Sequence, residues 1–169
     1  RTYAEMKLLR DILYKVSLEE IVGPTHVAIT SVAFDSRAVE KHSLFVAIKG
    51  STTDGHDYIE KATTMGAIAI ICERFPESVA ENVTYIRVNN SHEALGFIAA
   101  NFYGNPSHEL KLVGITGTNG KTTVATLLYD LFSNLDQKCG LLSTVKIKVG
   151  KQDFPATHTT PDQLSINKY

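Results

Sequence analysis

Tryptophan is absent from the chain, and cysteine and methionine occur twice each. Neither sign of charge prevails either: 17 Lys and Arg stand against 18 Asp and Glu, a formal net charge of −1. That balance removes any bulk electrostatic attraction to nucleic acid or to an anionic membrane surface. No apolar run approaches the ~20 residues that a spanning helix needs, and "RTYAEMKLLRD" lacks the apolar stretch of a signal peptide. A cytoplasmic protein without nucleic-acid or membrane partners is expected. Cys72 and Cys139 sit in the apolar runs "AIAIICE" and "KCGLLS", a setting that favours buried free thiols over a disulfide. No Cys/His cluster has the spacing of a zinc site. What is present is a chain of 169 residues, 43% hydrophobic, enough to bury one domain and part of another.

Periodicity divides the chain. "MKLLRDILYKV" places Leu8, Leu9, Ile12, Leu13 and Val16 at helical spacing. "VAITSVAFDS", "SLFVAIKG" and "VTYIRVNN" are rich in β-branched and aromatic residues and read as strands. "DGHDYIEKATTMG" reads as a helix capped near Asp54 or Asp57 and ended by Gly66, with a buried strand from Ala67 to Cys72 behind it. "SHEALGFIAANFYG" is a helix with Ser91 as N-cap and Gly104 at its end. In "YGNPSHELK" the residues Gly104, Asn105 and Pro106 break both periods. Domains at 1–109 and 110–169 are therefore expected. The second restarts with an apolar strand "KLVGIT", a glycine loop, a helix "KTTVATLLYDLFSNL" and a strand "CGLLST", the opening of a parallel α/β domain. A hairpin or a further strand, and then a polar loop, would follow in "VKIKVGKQDFPATHTTPDQ". The fold class is α/β throughout.

The loop "GITGTNGKTT" spans residues 114–123. An apolar strand, a turn with Gly117 and Gly120, then Lys and Thr opening a helix is the context of a phosphate loop. Glycine lets successive backbone N–H groups converge on a phosphate, and the helix start adds partial positive charge. Gly117, Thr118, Asn119, Gly120, Lys121, Thr122 and Thr123 would hold a nucleotide. Lys121 would act on the β/γ-phosphates and the Thr122 hydroxyl would ligate Mg²⁺. Ile115 stands where the strict pattern wants glycine. Phosphate is strongly indicated; which nucleotide and which reaction are not.

The neighbours make the loop more specific. "LVGITGTNGKTTV" resembles the ATP loop of the Mur ligases, the ATP-dependent amide ligases of peptidoglycan precursor synthesis. "FDSRAVEKHSLFVAIKGSTTDGHDYIEKATTMGAIAII" resembles the first domain of the MurE type within that family, and "THTTPD" its Thr-Thr-Pro segment. The resemblance implies an N-terminal mixed α/β domain that binds UDP-MurNAc, followed by the start of a parallel-sheet ATPase domain. It implies ATP and Mg²⁺ as cofactors. The implied substrates are UDP-MurNAc-L-Ala-D-Glu and a diamino acid, meso-diaminopimelate in the commoner case or L-lysine. Carried over by position, Phe34, Ser36, Ser51, Thr52 and Thr53 would touch the UDP-sugar, and His158, Thr159 and Thr160 the UDP-MurNAc-peptide. His158 stands where the family often has Asn. Phosphorylation of the substrate carboxylate to an acyl phosphate, attacked in turn by the incoming amine, is the implied chemistry.

The family continues with a second metal ligand, a modified lysine and a third domain, so the chain reads as an N-terminal fragment, inactive alone. Its truncated second domain would then expose apolar surface and self-associate. A stand-alone UDP-sugar or nucleotide-binding module is the alternative. A folylpolyglutamate synthase, whose loop is similar, is disfavoured because that family lacks the "DSR…DGHDYI" domain. Outside the resemblance, Asp35 and Arg37 make a turn-holding ion pair worth ~0–1 kcal/mol, "GSTTDG" is an ordinary turn, and His56, His92 and His108 are loop or cap residues without chemistry.

Overall fold

The computed structural model describes residues 6–156 and 161–169. The chain falls into two units, one ending at Ser107 and the other spanning His108–Tyr169. The first unit runs β1 (Lys7–Leu8), α1 (Leu9–Ile12), β2 (Glu20–Val22), β3 (Ala28–Ile29), β4 (Ser31–Ala33), β5 (Ser43–Val46), α2 (Ile59–Met65), β6 (Ala67–Cys72), β7 (Thr84–Arg87) and α3 (Ser91–Phe102). Its main sheet has the order β2-β7-β6-β5-β4. Strands β4 to β7 are mutually parallel, and β2 lies antiparallel on the β7 edge.

The sheet forms where the sequence is continuously apolar. Leu44, Phe45, Val46, Ala69, Ile70, Ile71 and Cys72 are all fully buried, as strands covered on both faces require. Alternate residues point to opposite faces. Phe45, Ile70, Cys72 and Tyr85 accordingly share one cluster with Ile59 and Ala62 of α2. Each fully buried Ile, Leu or Phe side chain contributes about 1.5–3 kcal/mol, so these strands carry much of the unit's stability. The strand expected at Ala67–Cys72 is present with those ends.

Three local expectations change. The helix expected across residues 6–16 is a single turn, α1, because Leu8 is already paired in β1 and Lys15 turns left-handed at φ 61. Leu9, Ile12, Leu13 and Val16 nevertheless all reach the core. The N-cap of α3 is Asn90, whose Oδ1 accepts from Glu93 N–H at 3.0 Å; Ser91 lies inside the first turn. Asn90 has the extended backbone of a cap residue (φ −142, ψ 103). The third change is that α2 is preceded by a 3-10 turn, Gly55–Tyr58, and it is this turn that Asp54 caps.

The second unit contains α4 (Lys121–Asn134), β8 (Gly140–Leu142), β9 (Lys146–Val149), β10 (Gln152–Pro155) and α5 (Gln163–Lys168). The expected helix after the glycine loop is there, and where a hairpin or a strand is expected the structure forms the hairpin, turning at Gly150 and Lys151 between the paired Val149 and Gln152. The strand expected at 111–116 pairs with nothing among the described residues, and the described ladder, β10-β9-β8, is antiparallel rather than parallel. A strand exists only through a neighbour's hydrogen bonds, and here Leu112 stays 89% exposed. Helix α4 buries none of its residues, and Leu127 and Leu131 are exposed along it. At the end of the stretch expected as a polar loop α5 begins, a helix not expected there, and the Asp162 carboxylate caps it by accepting from Ser165 N–H at 2.9 Å.

Candidate functional site

Strands β4, β5, β6 and β7 run parallel, so the segments that follow them emerge at one edge of the sheet. Open α/β sheets bind ligands at that carboxyl edge. After β4 comes Phe34, exposed, then Asp35 and a 3-10 turn, Ser36–Ala38. The Asp35 carboxylate caps the turn by accepting from Arg37 N–H at 2.9 Å, and receives the Arg37 guanidinium at 2.6 Å from Nη2. Those Arg37 hydrogen bonds hold the Asp35 carboxyl below its ordinary value. Ser36, the first residue of this turn, is itself buried. The ion pair anticipated from the sequence is therefore a cap as well, and it fixes the backbone of the turn that begins at Ser36.

The segment after β5 is a tight excursion whose tip is Ser51, Thr52 and Thr53, all exposed. Gly50 N–H donates to Thr53 O at 2.9 Å, Lys49 and Asp54 form a bridge, and Gly55 N–H donates to Ile48 O at 2.8 Å. Gly55 has no room for a side chain: a Cβ there would lie 2.6 Å from Ile48 N and 2.7 Å from Ile48 O. Since β4 and β5 are paired neighbours, Phe34, Ser36 and the 51–53 tip share one edge of one sheet. Their hydroxyls and backbone groups can hydrogen-bond a neutral base and phosphate oxygens without net positive charge.

Sequence reasoning passed over what anchors this excursion. Asp54 Oδ1 accepts from His56 N–H at 3.0 Å and from His56 Nδ1 at 2.6 Å, while its Oδ2 accepts from Arg74 at 3.0 Å. These contacts, led by the His56 backbone N–H, pull the Asp54 carboxyl from 3.8 to about 2, against the opposing effect of burial. The signal was the Asp-x-His spacing at a turn, where an aspartate side chain bonds the backbone two residues on.

The phosphate loop lies in the second unit. Gly117 (φ 151) and Gly120 (φ 78) both take positive φ, and a Cβ at Gly120 would meet nothing within 4 Å. Conformation, not space, selects glycine there. Gly120 is the N-cap of α4 and supplies no capping side chain, so the first-turn N–H groups stay available to an anion. The Lys121 ammonium folds back on the carbonyls of Gly117 and Thr118. An open hollow of about 390 Å³, lined by Thr122, Thr123, Thr126, Leu127, Val145 and Lys146, adjoins the helix start. Thr118 and Asn119 form the exposed crest between the two glycines. His158, Thr159 and Thr160 lie outside the described residues. Among the described residues no three His, Cys, Asp or Glu gather as metal ligands, and no helix is long and apolar enough to cross a membrane.

Comparison with known proteins fits both units. Residues 28–103 match the model of the Mur ligase family, catalytic domain, and residues 115–169 that of the Mur ligase middle domain. The chain belongs to the Mur ligase family. Among Mur ligases it is 52% identical over 161 residues to the UDP-N-acetylmuramoyl-L-alanyl-D-glutamate–2,6-diaminopimelate ligase of Cytophaga hutchinsonii, covering 95% of this chain and 33% of that one. It is 41% identical over 164 residues to the protein of the same name from Bacillus velezensis, covering 96% of this chain and 33% of the other. The chain thus spans about a third of the length of these relatives. A solved structure of a ligase of that name aligns with a TM-score of 0.67 at 22% identity, over 96% of this chain and 32% of that one. The Mur ligase MurF of Acinetobacter baumannii aligns with a TM-score of 0.62 at 24% identity, over 79% and 29%. Both likenesses concern the fold.

Proposed function

We propose that this chain supplies the UDP-substrate face and the phosphate loop of an ATP-dependent ligase that adds meso-diaminopimelate to UDP-MurNAc-L-Ala-D-Glu in peptidoglycan precursor synthesis. The observation that carries the reading is the pairing, within one Mur ligase chain, of a Ser36-bearing capped turn with a glycine loop opening α4. The names of the relatives favour diaminopimelate over lysine.

In this reading Ser36, with Phe34 and the 51–53 tip, holds the UDP end of the substrate. Phe34 offers an exposed ring to the uracil, and the hydroxyls of Ser51, Thr52 and Thr53 satisfy its oxygens and those of the diphosphate. His158, Thr159 and Thr160 belong to the peptide end of the same substrate. Thr118, Asn119 and the backbone N–H groups from Gly117 to Thr123 receive the ATP phosphates at the bare start of α4. Lys121 exchanges its two loop carbonyls for phosphate oxygens and stabilises the charge that builds as the phosphoryl group moves to the substrate carboxylate. Thr122 and Thr123 present hydroxyls beside this loop, a hard-oxygen donor set that fits Mg²⁺, with Thr122 as ligand. Bound there, Mg²⁺ would neutralise phosphate charge. The amine of diaminopimelate then attacks the resulting acyl phosphate and phosphate leaves.

The test is phosphate release by a protein of the relatives' length carrying this chain. Release that requires ATP, UDP-MurNAc-L-Ala-D-Glu and diaminopimelate together supports the reading. Binding of the UDP substrate without any release would instead favour a binding module, and release with lysine but not diaminopimelate would reassign the amino acid.

A further inference from the structure

Among the contacts at the sheet edge, His56 stands apart because its side chain is only 4% exposed and both ring nitrogens are engaged. Glu73 N–H donates to Nε2 at 2.8 Å, so Nε2 carries no proton. Nδ1 therefore carries it and donates to Asp54 Oδ1 at 2.6 Å. With Nε2 occupied by a backbone N–H and shut off from solvent, His56 has no free nitrogen for acid–base chemistry. What the ring does is connect. Asp54 is the last residue of the excursion that carries Ser51, Thr52 and Thr53, closed across its base by the Lys49–Asp54 bridge. Glu73 is the first residue beyond β6, whose last four residues, Ala69, Ile70, Ile71 and Cys72, are fully buried. The imidazole is thus a rigid strut from a buried strand to the base of an exposed tip.

We infer that His56 is a positioning residue for UDP-substrate binding, holding the 51–53 tip at the sheet edge by bridging the Asp54 carboxylate to the Glu73 backbone N–H. The inference rests on the reading that residues 51–53 touch the UDP substrate. Two features argue that the strut, not Arg74, does the positioning. Arg74 also bonds Asp54, but its side chain is 63% exposed and shared with Asp57, and such a pair holds little in water. And the turn itself, closed by Gly50 N–H on Thr53 O, fixes the shape of the tip but not its place relative to β6.

The experiment is calorimetric titration of this chain with UDP-MurNAc-L-Ala-D-Glu, beside a titration with Mg-ATP. His56→Ala is expected to weaken binding of the UDP substrate about tenfold, through loss of the two hydrogen bonds that the ring makes to Asp54 and Glu73, and to leave ATP binding unchanged. His56→Asn can keep the Asp54 bond and His56→Gln the Glu73 bond, so each recovers part of the affinity. Arg74→Ala keeps nearly all of it. Amide exchange at residues 50–54 accelerates in His56→Ala while β6 stays protected, which separates a released tip from a misfolded unit. If His56→Ala unfolds the unit, the Asn and Gln variants carry the test. Wild-type affinity in His56→Ala, equal losses in Ala, Asn and Gln, or a loss in Arg74→Ala as large as in His56→Ala would overturn the inference while leaving the proposed function standing. Failure of the wild-type chain to bind UDP-MurNAc-L-Ala-D-Glu would overturn both.

Discussion

Replacing Gly55 by alanine probes the base of the 51–53 excursion with the least chemistry. The added Cβ would stand 2.6 Å from Ile48 N and 2.7 Å from Ile48 O, and ordinary contact begins at 3.4 Å. Both obstructing atoms are backbone, so no side chain can swing aside. The two strands of the excursion must separate, stretching the 2.8 Å bond from Gly55 N–H to Ile48 O. Overpacking of this kind destabilises by about 1–3 kcal/mol and a weakened backbone hydrogen bond by about 1 more, so about 2–4 kcal/mol is expected. The assay is urea unfolding read through amide exchange in β6 and β7. Gly96→Ala serves as the control, because a Cβ there meets nothing within 4 Å and the site is inside α3. That variant should gain about 0.5–1 kcal/mol from the better helix former. A Gly55→Ala chain within about 0.5 kcal/mol of wild type would refute the argument from close approach.

Acid provides a second perturbation. The Asp54 carboxyl titrates lower in the folded chain, at about 2, than its ordinary 3.8. Its contribution is therefore complete above about pH 4 and lost as pH falls towards about 2. Up to about 2 kcal/mol of stability should go in that window in the wild type and not in Asp54→Asn, as acid titration of unfolding would show. Cys72 is fully buried and burial pushes its thiol up to about 12, whereas Cys139 is half-buried. Iodoacetamide at pH 8 should label Cys139 first, by mass spectrometry, and equal rates would contradict the burial of β6. The Ser91 hydroxyl is buried without a partner among the described residues. Ser91→Ala should thus change stability by less than about 0.5 kcal/mol, while Asn90→Ala loses a cap worth about 1 kcal/mol; the reverse order in thermal melts would restore Ser91 as the cap.

What could be read from the sequence was whatever the chain states locally. Strand β6 was legible to the residue because six apolar positions stand between Gly66 and Glu73. Helix α4 was legible because the left-handed glycine and the Lys-Thr-Thr start leave it only one place to begin. Asn90 and Ser91 are both good caps in sequence, and only the extended backbone at Asn90 decides between them. The 111–116 stretch has strand composition, but a ladder needs a partner, and none of the described residues provides one. His56 was the largest omission at the site. A histidine in a loop looks inert until the chain returns, at Glu73, with the N–H that fills its second nitrogen.

If this chain holds the UDP substrate, it does so at the sheet edge where the Ser36 turn follows β4. The most direct test is the affinity of UDP-MurNAc-L-Ala-D-Glu for the wild-type chain and for Ser36→Ala, measured by titration calorimetry. Saturable binding is expected, weakened by Ser36→Ala about tenfold or more, as loss of a hydrogen bond to a charged or polar ligand group does. Absence of binding, or equal binding by the two chains, would contradict it.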